Sequence, residues 1–189
     1  MLTIAILAGG ESRRMGQDKA LLQWNGESLL ERTVRTAKST GEPVLVVGRS
    51  EPEGWPFAEV QFATDAYPRI GPLGGLETAL TLSGSDICLI SCDLPLLSVE
   101  ALRWLISHAP HDTDTHGLIC KNQGRLEPLF SLYSSACLPL IGRQRQDQDY
   151  ALRNLLGRGN FAYADLPLNF WQDLTNVNNP QDWQRLTKR

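Results

Sequence analysis

Apolar residues recur along the chain in short blocks of alternating period. Leu2 to Ala8 is almost wholly apolar with two isoleucines. Such a run suits a strand covered on both faces, as in a parallel sheet between helices. Further strands are expected at Val44–Val47, Phe57–Ala63, Asp86–Ser91, Gly117–Lys121, Leu129–Tyr133 and Phe161–Ala164. Between them, helical spacing marks Ala20–Trp24, Ser28–Ser39, Leu73–Leu82, Val99–His108, Asp149–Leu156 and Gln181–Leu186. Gly41 and Pro43 stop the second of these, and the residues from His108 to His116 read as a polar loop. Alternating strands and helices imply right-handed crossovers and an α/β fold, a three-layer, doubly wound, mostly parallel sheet. In such sheets ligands lie beyond the carboxyl ends of the strands.

Three conspicuous segments fall at such ends. The first runs Leu7-Ala8-Gly9-Gly10-Glu11-Ser12-Arg13-Arg14-Met15-Gly16-Gln17-Asp18-Lys19. Two glycines let backbone approach a ligand, and Arg13, Arg14 and Lys19 call for an anion. A P-loop needs Lys directly after its second glycine and Ser or Thr next, whereas Gln17 and Asp18 intervene and Ala20 follows. The dinucleotide fingerprint G-x-G-x-x-G is absent as well. The second segment is Gly71-Pro72-Leu73-Gly74-Gly75 after the Phe62 strand, and the third is Cys92-Asp93 after Ser91. Asp93, fixed ahead of Leu94-Pro95, suits a magnesium ion, which takes one or two carboxylates plus substrate phosphates. It equally suits a cap for the turn before Pro95 or for the helix starting near Ser98. Lys19 is either an anion contact or a solvated lysine, and Asp65 either a ligand contact or a turn residue.

Composition narrows the possibilities. The 189 residues suit a single domain spanning the chain, able to bury roughly 70% of its unfolded surface. Apolar content is 42%, charged content 21% and net charge −3, so nothing draws the chain generally to nucleic acid or to an anionic membrane. The seven-residue apolar start runs straight into the glycine loop and reads as neither secretory signal nor membrane span, which suggests the cytoplasm. Cys88, Cys92, Cys120 and Cys137 form no C-x-x-C pair and read as buried structural thiols. No Ser-His-Asp or Cys-His set suggests nucleophilic catalysis.

With its double glycine, paired arginines and Asp-Lys-Ala-Leu-Leu tail, the first loop resembles that of the molybdenum cofactor guanylyltransferases, whose fold is Rossmann-like. Related cytidylyltransferases usually show Leu-Ala-Ala-Gly there, so Gly9-Gly10 tilts toward guanine. The resemblance extends to Pro180 and implies transfer of GMP from GTP to Mo-molybdopterin, with release of pyrophosphate. It implies GTP contacts from Leu7, Ala8, Gly9, Gly10, Lys19, Asp65, Gly71, Gly75 and Asp93, and Mg2+ on Asp93. Lys19, Asp93 and Arg13 would be catalytic. Asn176 and Asn178 of Asn-Val-Asn-Asn-Pro, with Arg125 of Arg-Leu-Glu-Pro-Leu, would meet the second substrate. Asn179 replaces the usual Thr and should still cap the last helix. Val47-Gly48-Arg49 stands where some members carry an Asn-rich nucleotide contact. Molybdoenzyme apoproteins or other cofactor-biosynthesis proteins are further partners the resemblance implies. A cytidylyl- or adenylyltransferase acting on another phosphorylated molecule, and a non-catalytic nucleotide or pterin carrier, are the competing readings.

Overall fold

A computed structural model describes residues 2–9, 18–112 and 114–188. Its centre is a seven-stranded sheet built from β1 (Leu2–Leu7), β4 (Val44–Val47), β5 (Val60–Ala63), β6 (Asp86–Ser91), β7 (Gly117–Asn122), β8 (Arg125–Tyr133) and β9 (Ala162–Asp165). The order across the sheet is β5-β4-β1-β6-β8-β7-β9, and β8 alone runs against the other six. Two very short strands, β2 (Gln23–Trp24) and β3 (Glu27–Ser28), form a separate hairpin.

Side-chain alternation along the strands makes two cores. Ile4, Ile6, Val44, Val46 and Ile90 face α1 (Leu29–Lys38) and α3 (Val99–Ser107). Ala5, Leu45, Val47, Ile87 and Leu89 face α2 (Pro72–Ser83) and α4 (Cys137–Gln146). The three layers are those the hydrophobic pattern predicts. All four cysteines are free and buried within these cores.

Several local expectations change. Ala20–Trp24 is not a helix: Lys19–Leu21 is a single 3-10 turn, and the chain then reverses through Asn25-Gly26, both at positive φ. That dipeptide is itself a hairpin signal. Asp149–Leu156 shrinks to a 3-10 segment at Leu152–Gly157, while α4 goes unpredicted because Pro139 and Gly142 interrupt its pattern. Pro139 lies in the first turn, where no helical hydrogen bond needs its missing N–H. The closing helix, α5, runs Pro180–Thr187 and is capped by Asn179, whose side chain accepts from Asp182 N at 2.9 Å.

The chain leaves β1 for β4 and β5 on one side and returns to β6 on the other, so the strand order reverses between β1 and β6. A crevice opens at such a reversal beyond the strand ends. Leu7, Val47, Ala63 and Ser91 are those ends.

Candidate active site

Three distant segments meet at the crevice. Lys19 Nζ donates to Asp93 Oδ2 at 3.1 Å and to Asn178 Oδ1 at 2.9 Å. The three side chains come from positions 19, 93 and 178, so only the tertiary fold assembles them. Each is held from behind. Ser91 Oγ donates to Asp93 Oδ1 at 2.6 Å, and the Asp93 carbonyl accepts from Val177 N at 3.0 Å, which ties the end of β6 to the Asn176–Asn178 segment. Asn178 N donates to the Asp182 carboxylate at 3.0 Å. Asp18 accepts from Ala20 N, shaping the turn that carries Lys19, and its other oxygen accepts from Arg49 Nη2 at 3.1 Å.

The two readings of Asp93 separate here. α3 is capped by Ser98, whose hydroxyl accepts from Ala101 N, and Ser98 in turn contacts Asp173. The Asp93 carboxylate instead meets Ser91 and Lys19, so the cap reading does not describe it.

Backbone crowding shapes the floor. A Cβ on Gly9 would lie 2.8 Å from Gly48 Cα, and one on Gly48 only 2.5 Å from Gly9 Cα, at a φ of 102°. The two glycines therefore bring the ends of β1 and β4 into direct backbone contact. From sequence, Gly48 is notable only as part of Val47-Gly48-Arg49, and this packing role is not visible there. Gly75 serves a similar end, because a Cβ there would meet Leu7 Cδ2 at 2.7 Å, and its absence lets α2 sit against β1. Gly71, at φ 65°, turns the chain into α2, which starts without a side-chain cap. Pro72 has no N–H to offer there, and the Gly74 and Gly75 amides both donate to the Gly71 carbonyl, at 3.0 Å and 3.4 Å.

Two cavities flank the Lys19–Asp93–Asn178 cluster. One, of about 230 Å³, is lined by Gly9, Gly48, Asp65, Gly71, Gly75 and Ser91 among others. The other, of about 280 Å³, is lined by Ser91, Asp93, Glu127, Leu129, Asn176 and Asn178 among others. Ser91 and Leu129 belong to both, so the cavities adjoin. Two cavities of similar size sharing a wall beside a lysine and an aspartate suit a reaction between two substrates.

Asp65 reaches the first cavity while making a turn: its Oδ1 accepts from Tyr67 N at 2.8 Å and from Thr78 Oγ1 at 3.2 Å. Arg125 is not brought to either cavity. It lies exposed at the start of β8, paired with Asn122 across the β7–β8 turn. Arg145 is ion-paired to the buried Glu77 and stacked on Tyr67. Gly10, Arg13 and Arg14 lie outside the described residues. Arg49, of the Val47-Gly48-Arg49 segment, lies beside the cluster through Asp18; among the described residues its Nε and Nη1 are buried with no hydrogen-bond partner.

The chemistry these groups permit is electrostatic. Burial pushes the Cys92 thiol up to about 12, with Asp93 adding to the effect, so no thiolate forms beside the site near neutral pH. Among the described residues no group of three or more His, Cys, Asp or Glu could hold a metal alone. The donors present are nevertheless hard oxygens. The Asp93 carboxylate and the Asn178 amide oxygen already converge on one cation, the Lys19 ammonium. Such a set fits a magnesium ion whose remaining ligands are phosphates and water.

Comparison with known proteins agrees with this arrangement. The family model for the MobA-like NTP transferase domain matches residues 4–163. A Carboxydothermus hydrogenoformans protein named a probable molybdenum cofactor guanylyltransferase is 34% identical, over 99% of this chain and 95% of its own. A Synechococcus elongatus protein of the same name is 37% identical, over 96% of this chain and 95% of its own. Among solved structures, molybdopterin-guanine dinucleotide biosynthesis protein A from Archaeoglobus fulgidus superposes with a TM-score of 0.79, at 22% identity, over 98% of this chain and 97% of that one. A Rossmann-like nucleotidyltransferase fold, a paired cavity at its strand reversal and relatives over nearly the full length agree: the chain is a nucleotidyltransferase belonging to the MobA-like NTP transferase family.

Proposed function

We propose that the chain transfers GMP from GTP to Mo-molybdopterin, releasing pyrophosphate and forming the molybdopterin guanine dinucleotide cofactor. The observation that carries this reading is the Lys19–Asp93–Asn178 cluster, whose Asp93 and Asn178 line the second cavity next to Ser91, a residue that both cavities share. The relatives' names supply the substrates. GTP would take the cavity between Gly9, Gly48 and Gly71, with Asp65 toward the guanine edge. A carboxylate can accept from guanine N1–H and its exocyclic amine, a donor pair that cytosine lacks. The acceptor would take the cavity lined by Asn176 and Asn178.

The acceptor's terminal phosphate is already an anion at neutral pH, so the site needs no general base. Lys19, reached by the Gly9 loop, offsets charge growing on the leaving pyrophosphate. Ser91 and Val177 hold Asp93 at the junction, and Asn178 holds Lys19 beside it. Asp93, with the Asn178 amide oxygen, would hold Mg2+. That ion supplies Lewis-acid neutralisation of the triphosphate. The two adjoining cavities would hold the two substrates side by side, and that positioning is where most of the rate would come from.

No helix among the described residues is long and apolar enough to cross a membrane. A cytoplasmic setting, with molybdoenzyme apoproteins or other cofactor-biosynthesis proteins receiving the product, accords with the proposed reaction.

The test offers each of the four nucleoside triphosphates with Mg2+ and Mo-molybdopterin and follows pyrophosphate. Release should occur with GTP and fall at least about 100-fold with CTP, UTP and ATP. Release with CTP or ATP instead would favour a different nucleotidyltransferase. GTP binding without any release would favour a carrier.

A further inference from the structure

β8 is irregular where it enters the second cavity. Its register pairs Ser131 with Ile119 and Leu126 with Lys121, so Cys120 alone faces the four residues Glu127, Pro128, Leu129 and Phe130. The bulge is fastened by buried hydroxyls. Cys120 N donates to Ser131 Oγ at 3.1 Å, and that hydroxyl donates onward to the Glu127 carbonyl at 2.7 Å. Tyr133 Oη donates to the Pro128 carbonyl at 2.8 Å. Ser131 and Tyr133 are fully buried, so the bulge is built into the core and not into a loose edge. Bulges beside active sites re-aim side chains. On the other side of β8, Phe130 pairs with Ile90, which carries the bulged residues past the end of β6 to the level of Asp93.

Glu127 is the residue so presented. It lines the cavity with Asp93, Asn176 and Asn178, and its carboxylate makes no hydrogen bond or ion pair among the described residues. Burial holds its carboxyl above the usual range, with Arg125 and Arg153 opposing through charge alone. A half-buried carboxylate without a partner is costly, and a rigid bulge that presents one implies a ligand that supplies donors. The acceptor's phosphate is an anion and would be repelled by Glu127, so its uncharged end must lie there. A 2-amino-4-oxopyrimidine ring carries an N–H and an amino group side by side, the donor pair that a carboxylate accepts.

We propose that Glu127 determines acceptor specificity, its two oxygens accepting paired hydrogen bonds from the N–H and amino group of the pterin edge. The inference rests on the transfer to Mo-molybdopterin proposed above. Asp65 in one cavity and Glu127 in the other would then read the same edge on guanine and on pterin.

Glu127→Gln keeps the shape but sets an amide donor against the ligand's donors, and Glu127→Asp keeps the charge on a shorter arm. Both variants are assayed for transfer, and for binding of metal-free molybdopterin by fluorescence, with thermal melting as a check on folding. In Glu127→Gln the acceptor KM should rise about 30-fold, with GTP KM, saturating kcat and Mg2+ half-saturation each within about twofold of wild type. Pterin binding should weaken in parallel, and Glu127→Asp should recover part of it. An unchanged acceptor KM and unchanged pterin binding would overturn the assignment. A shifted Mg2+ half-saturation would also overturn it, making Glu127 a metal ligand. Should wild type bind pterin in a Glu127-dependent way yet transfer no nucleotide, the proposed reaction falls and the pterin contact stands.

Discussion

Asp93→Ala should lower kcat about 100-fold to 1000-fold while leaving the melting temperature within a few degrees of wild type. The carboxylate sits at the end of β6 between two separate demands. Ser91 Oγ fixes it from the protein side, while the Val177 amide holds the Asp93 main chain, and Lys19 meets it from the cavity side. Removing it takes away the anionic ligand proposed for Mg2+ and one partner of Lys19, which keeps its hydrogen bond to Asn178. The fold should survive, because the hydrogen bond from Val177 is to the main-chain carbonyl and α3 has its own cap at Ser98. Chelating the metal from wild type should produce a loss of similar size and should add little in Asp93→Ala. Pyrophosphate release under single-turnover conditions measures both. Near-normal turnover in the variant would remove Asp93 from the reaction.

Lys19→Ala should cost a comparable factor, again about 100-fold to 1000-fold, and should weaken GTP binding as well. The ammonium is a point charge wedged between two oxygens at 3.1 Å and 2.9 Å, a geometry that a planar guanidinium does not reproduce. Lys19→Arg should therefore recover less than a tenth of the lost rate. Titration with GTP and turnover at saturating nucleotide separate the two effects. Full activity in Lys19→Arg would mean that only local positive charge matters, and wild-type activity in Lys19→Ala would exclude the residue.

What could be read from the sequence follows physical lines. Leu2 to Ala8, Val44–Val47 and Asp86–Ser91 are dense apolar runs bounded by glycine, proline or polar residues, and each is a strand of the sheet within a residue or so. Lys19 stands out because it closes a loop bearing two glycines and two arginines after such a strand, and Asp93 because it follows one two residues ahead of Pro95. α4 does not, since Pro139 and Gly142 mask its period, and the β2–β3 hairpin straddles the end of one stretch read as helical and the start of the next. Gly48 and Glu127 depend on tertiary placement. One matters because another glycine lies against its backbone, and the other because a register shift pushes it outward. Neither condition leaves a mark on local pattern. Arg125 shows the converse: its place before Leu-Glu-Pro suggested substrate contact, yet the strand carries it to the exposed turn while Glu127, two residues on, faces the cavity.

The most direct test of the central claim uses GTP labelled at the α-phosphate, with Mg2+ and Mo-molybdopterin, and follows the label by chromatography and mass spectrometry. The label should move into a dinucleotide joining GMP to molybdopterin, in step with one pyrophosphate per product. Label that stays in GTP, or that appears only in GMP, would contradict the account.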